Sequence, residues 1–212
     1  MRMFSAVSLV VLVVLAGVLS TGCLHKDVTQ TIYISPDSVA WSVIEKDVRS
    51  DETAAAGRLM EEQDYLLAAM AGRHPAALAF RQLGAQAVTT TWLRRNRPFT
   101  VVTEARFGDP RTLAIAVLGE LQARGDATLV RQGTRTTLTI RVEVGPESGA
   151  ENRLDGLIAD LDDYRIVLTA GRFVAADGFT IESDGAVAIP DSATIPEDGT
   201  LTLRLVWDDN AW

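Results

Sequence analysis

From Thr137 to Val144 apolar and polar side chains alternate without a break. Leu138, Ile140, Val142 and Val144 fall on one phase, and Thr137, Thr139, Arg141 and Glu143 on the other. A period of two belongs to an extended strand with one buried face, not to a helix. The same β-branched texture recurs in Val28–Ile34, Val39–Val48, Val88–Trp92, Phe99–Val102, Ala127–Val130, Tyr164–Thr169, Arg172–Ala175, Phe179–Glu182, Ala186–Ile189 and Leu201–Trp207. Turn chemistry separates the runs. Ser35-Pro36-Asp37-Ser38 combines a proline that presets φ with an aspartate that can bond its own backbone, so the first two runs read as a β-hairpin. Along the second of them Val39, Trp41 and Val43 point one way, and Ala40, Ser42 and Ile44 the other.

Four stretches switch to helical spacing. Between Glu52 and Ala71, the residues Ala56, Leu59, Met60, Gln63, Leu66, Leu67 and Met70 recur at steps of three and four and predict a stripe packed against a core. Pro75–Leu83 opens with proline at its first position and closes near Gly84. Asp109-Pro110 pairs an N-cap with an N1 proline and starts a helix running to about Ala123. Leu154, Leu157, Ile158 and Leu161 mark a short amphipathic helix. The expected fold is therefore α+β: a largely antiparallel sheet, or sheets, built from hairpins with about four helices packed on one face. Residues 28–150 form an α+β domain and 151–212 a β-rich C-terminal part, which one domain can equally contain.

The first 23 residues are of another kind. Arg2 is followed by an uncharged run from Met3 to Gly22, with a Val/Leu core at Leu9–Leu15, and then by the only cysteine of the chain, Cys23. This is the shape of an export signal; an uncleaved membrane helix of about 20 apolar residues is the rival. Gly17, Ser20, Thr21 and Gly22 weaken the far end of such a helix and suit a peptidase. Either way, the remainder of the chain lies outside the cytoplasm. Residues 19–23, Leu-Ser-Thr-Gly-Cys, resemble the lipobox of bacterial lipoproteins, Leu-(Ala/Ser/Thr)-(Gly/Ala)-Cys, with Leu19 one position further upstream and Ser20 in its place. The resemblance implies a signal peptide over 1–22, cleavage after Gly22, a diacylglyceryl thioether on Cys23 with a palmitate-type acyl group on the new terminus, and a lipidated tether over 23–27. Position 24 is Leu rather than the Asp that favours inner-membrane retention, which points to the outer membrane if the source is a diderm.

Charge narrows the partners. Nineteen of the 20 basic residues and all 28 acidic ones lie beyond the leader, and the whole chain carries a net charge of −8. That argues against nucleic acid, which needs a concentrated basic surface. An acylated Cys23 leaves no free thiol, which excludes disulfides, iron–sulfur clusters and thiol catalysis.

Side chains able to carry chemistry are few. Asp155, Asp160, Asp162 and Asp163 are the densest acidic group, without the alternation, central glycine and terminal glutamate of a calcium loop. Arg94, Arg95 and Arg97 form the one compact basic patch, either a contact for an anion or acidic partner or a solvated hairpin tip. His25 and His74 lack companions at metal-ligand spacing, and no Gly-x-Ser-x-Gly elbow accompanies them. Glu61 and Glu62 are adjacent on a helix and so diverge. Trp41, Trp92 and Trp207 read as sheet-face packing, with a ligand groove as the other reading; Trp212 is a terminal aromatic. No cofactor, metal or catalytic residue is expected.

Tyr164-Arg165-Ile166-Val167-Leu168-Thr169-Ala170-Gly171-Arg172-Phe173-Val174-Ala175-Ala176-Asp177-Gly178, together with Leu201-Thr202-Leu203-Arg204-Leu205-Val206-Trp207, resembles the closing segment of the LppM-type family of bacterial envelope lipoproteins. Ala170 stands where that pattern has proline, and no second apolar span is read near the C-terminus. The resemblance implies an α+β surface lipoprotein and brings no catalytic residue. The expected function is a non-enzymatic, lipid-anchored envelope module that binds or assembles another envelope protein or lipid. The alternative is a periplasmic carrier of a hydrophobic or lipid ligand.

Overall fold

A computed structural model describes residues 24–120, 124–143, 164–191 and 200–210. Among them are eleven strands in two hydrogen-bonded sheets and three helices. Strands β1 (Leu24–Ser35) and β2 (Ser38–Ser50) come first, then helices α1 (Ala55–Met70) and α2 (Pro75–Gln82). Strands β3 (Ala87–Arg94) and β4 (Phe99–Phe107) precede helix α3 (Pro110–Glu120). The rest is β: β5 (Arg124–Gln132), β6 (Arg135–Glu143), β7 (Tyr164–Leu168), β8 (Arg172–Asp177), β9 (Phe179–Ile181), β10 (Val187–Pro190) and β11 (Thr200–Asp208).

The expected layer of about four helices on one sheet face does not form. The described chain is mostly β, because the strand runs pair with one another and bury their apolar faces sheet against sheet. The expected helix around Leu154–Leu161, and with it Asp155, Asp160, Asp162 and Asp163, lies outside the described residues. A second correction concerns Leu24–Asp27, expected as a tether: these are the first residues of β1.

The chain divides into two compact units. One holds the start of β1, through Thr29, and Ser42–Arg106; the other holds Gln30–Trp41 and Phe107–Trp212. In the first, the strands lie in the order β3-β4-β2-β1. Strand β3 pairs antiparallel with β4, from Ala87 opposite Arg106 to Trp92 opposite Val101. Val101, Thr103 and Ala105 alternate inward along β4, while Glu104 and Arg106 are exposed on the other face. In β2 the buried phase changes. Val43 and Glu45 are buried at odd positions, but Val48 and Ser50 at even ones. Between them Asp47 takes φ 52°, a left-handed residue that shifts the strand by one and behaves as a bulge. Val48, Val101, Tyr65 and Ala69 form the core, with Leu24, Leu66, Trp92 and Phe99 packed around it.

The second unit is built on long ladders. Strands β6 and β11 pair from Glu143 opposite Thr200 to Arg135 opposite Asp208. The order is β5-β6-β11-β8 in this sheet and β1-β7-β10-β9 in the other. The β1–β7 pairing is parallel, with Gln30 opposite Tyr164 and Ile34 opposite Leu168. Ile34, Leu168 and Ala188 from one set of strands meet Leu138, Phe173, Leu205 and Trp207 from the other in a common core, with Ile140 packed against it. The alternating phase of Leu138 and Ile140 is thus a buried seam, as a period of two requires.

Candidate functional site

Helix α1 is inverted. Its apolar stripe is expected to face a core, yet Leu59, Met60, Leu67 and Met70 are 64%, 63%, 51% and 68% exposed. At about 100° per residue, Leu59, Met70, Gln63, Ala56, Leu67 and Met60 follow one another within about 100° of arc. Every one of these six is exposed, and none is charged. The buried side of the same helix is Glu62, Tyr65 and Ala69.

Polar partners on the neighbouring strands explain the inversion. The Glu62 carboxylate accepts the Ser50 backbone N–H at 3.0 Å and pairs with Arg97 Nη2 at 2.9 Å. Ser50 Oγ donates to Glu61 Oε2 at 2.5 Å and accepts the Glu52 backbone N–H at 3.1 Å. Tyr65 donates its hydroxyl to Glu45 Oε2 at 2.5 Å, and the other Glu45 oxygen is held by the Lys26 ammonium in a buried ion pair. Lys26 Nζ also lies 5.7 Å from the Tyr65 ring centroid, within cation–π range. A buried charge is tolerated when it is paired and its remaining lone pairs are bonded. Once those partners hold the polar side of α1 inward, its leucines and methionines are left on the outside.

His74 closes this cluster. It precedes α2, is almost fully buried, and its Nε2 lies 2.7 Å from Thr103 Oγ1. Its ring meets that of Tyr65 edge-on, centroids 6.4 Å apart. Nδ1 has no hydrogen-bond partner among the described residues. Burial pushes the His74 pKa down; the Glu45 carboxylate opposes this, and Lys26 and Arg81 reinforce it. Burial likewise pushes the Tyr65 phenol far up, with Glu45 adding to the effect. A phenol so raised stays protonated and donates; it is no nucleophile. Chemically this is a clamp, in which neutral and paired groups fix α1 to β2.

The residues singled out in the sequence fall as follows. Cys23 lies outside the described residues, as does Trp212. Arg94 ends β3 and Arg95 follows it, both exposed, whereas Arg97, also exposed, pairs with the buried Glu62. His25 sits 3.8 Å from Asp27 at the surface. Glu61 and Glu62 are adjacent on α1, but both are drawn to Ser50. Trp41 is buried, its indole N–H donating to Gln30 Oε1 at 3.2 Å and its ring edge-on to Tyr164 at 5.5 Å. Trp207 packs edge-on against Phe173. Trp92 is half-buried, and its indole N–H has no partner among the described residues. No group of three His, Cys, Asp or Glu able to hold a metal occurs among the described residues. No helix among them is long and apolar enough to cross a membrane.

Sequence reasoning missed Lys26, Glu45 and Tyr65. The signal for Glu45 is its phase: it continues the buried set Val39, Trp41, Val43. For Tyr65 it is the spacing Glu62, Tyr65, Ala69, a second helical stripe on the other side of the helix from the apolar one.

No family model matches the chain, and no curated protein matches it. Among solved structures it is similar to the NMR structure of the LppM protein folded domain from Mycobacterium tuberculosis, at 14% identity and a TM-score of 0.35, over 89% of this chain and 92% of that one. The likeness to LppM is a loose one.

Proposed function

We propose that the protein is a lipid-anchored lipoprotein of the bacterial cell envelope, attached through Cys23, whose folded part is a non-enzymatic binding or assembly module. One observation carries the reading: the uncharged run Met3–Gly22 ends at the only cysteine, and the first strand begins at the next residue, Leu24. Residues 1–22 act as the signal peptide, and the outer membrane is the destination in a diderm because Leu rather than Asp follows the cysteine. The packing of Trp41 and Trp207 into cores favours a binding module over a carrier with a tryptophan-lined groove. So does the exposed apolar face of α1, since contiguous exposed apolar surface marks an interaction site.

Substituting Cys23→Ser in the full-length chain should abolish incorporation of an alkyne-tagged fatty acid and move the protein from the membrane to the soluble envelope fraction. Unchanged labelling and membrane retention would refute attachment through Cys23.

A further inference from the structure

We infer that the outer face of α1 is a membrane-docking surface: Leu59, Met60, Leu67 and Met70 lie in the interfacial region of the bilayer to which the chain is anchored. This rests on the lipoprotein reading above. Three observations carry it. The face is uncharged along the full helix and apolar except for Gln63, the form of a helix that lies in the plane of a membrane interface. Leu78 of α2, 46% exposed, adds a further apolar side chain in the same unit. Finally, Leu24 packs on the core made by Tyr65 and Ala69, the inner side of α1. The anchored end of the chain therefore belongs to the same unit as α1 and holds that unit at the bilayer, with no residue between Cys23 and the first strand.

A bilayer fits better than a second copy of the chain. Leucine and methionine are flexible side chains that adapt to a disordered partner, and the stripe offers no charge to fix a register against another protein. Anchoring also makes the contact intramolecular, so a modest apolar face suffices where a free dimer would have to overcome the entropy of association.

The test uses the full-length protein, acylated and reconstituted in phosphatidylcholine vesicles. Leu59→Cys, Leu67→Cys and Met70→Cys each place one free thiol on the stripe for an environment-sensitive fluorophore. Glu104→Cys places one on the opposite sheet face of the same unit. With brominated lipid in the vesicles, emission from positions 59, 67 and 70 should fall roughly twofold and shift to the blue, as expected for side chains seated about 5–10 Å into the headgroup and acyl boundary. Emission from position 104 should stay within about a tenth of its value in unbrominated vesicles. Vesicle-bound protein with equal quenching at all four positions, or none at any, overturns the docking and leaves the anchoring intact. Self-quenching between labelled copies without lipid quenching assigns the face to a dimer and also overturns it. Uptake of the thiol reagent by the parent chain shows Cys23 unacylated, which overturns the anchoring and the docking together.

Discussion

Lys26 and Glu45 show how much a single residue can decide. The pair is sealed from solvent, with Tyr65 bonded to the second carboxylate oxygen. Removing one partner of such a pair leaves a buried charge without compensation, whereas replacing both by apolar groups removes the penalty with the charge. Lys26→Met should destabilise the first unit by about 3–5 kcal/mol in a denaturant titration. The double variant Lys26→Met/Glu45→Leu should recover most of that loss; a double variant as unstable as the single one would show that the pair is not the source. Lys26 is hard to see in the sequence because His25-Lys26-Asp27 has the charge density of a tether. Its long apolar stem makes it compatible with a strand, but only the position of Glu45 on the facing strand makes its burial worthwhile. That information is non-local.

At the scale of elements, periodicity locates most strands and helices but cannot assign the inner face of α1. The apolar stripe Leu59, Leu67, Met70 is genuine. A helix with two stripes presents a choice, however, and the hydrogen-bond acceptors of Glu61 and Glu62 tip it once Ser50 and Arg97 stand opposite. Local signals succeed where the decisive partners are local. Helix α3 is the example: Asp109 Oδ1 accepts the Thr112 backbone N–H at 2.9 Å and Oδ2 accepts the Thr112 hydroxyl at 2.9 Å, just before Pro110. These bonds hold the Asp109 carboxyl below its ordinary range, the Thr112 backbone bond foremost. Asp109→Ala should cost about 1 kcal/mol, the usual value of a helix N-cap. Asp109→Asn or Asp109→Ser should restore most of it, and failure of both to do so in thermal melts would argue against capping as the cause.

For the molecule as a whole, the pH dependence of folding reports on His74. Its folded pKa lies below the ordinary 6.5, with burial the leading cause. The unfolded chain therefore binds the proton more readily. Above the unfolded pKa both states are neutral there and the contribution is flat; as pH falls through and below that value, stability is lost until the folded pKa is reached. Stability measured by chemical denaturation should accordingly decline from about pH 6.5 downward. In His74→Gln the decline over the same interval should be smaller, and an unchanged slope would exclude His74 as its source. The whole-molecule fold is the least legible level. Strand runs and turns are written locally, but the two sheets, the parallel β1–β7 pairing and the packing of Ile34 with Leu205 depend on chain segments far apart.

Strand β1 starts at the residue after Cys23 and, over Gln30–Ile34, lies between β2 and β7 rather than at a sheet edge. The proposed anchor at Cys23 thus has no slack, and a tug on it enters β1 at Leu24, six residues before the part of the strand that pairs with β7. Under the proposed attachment, β1 itself is the linker between the membrane and the fold.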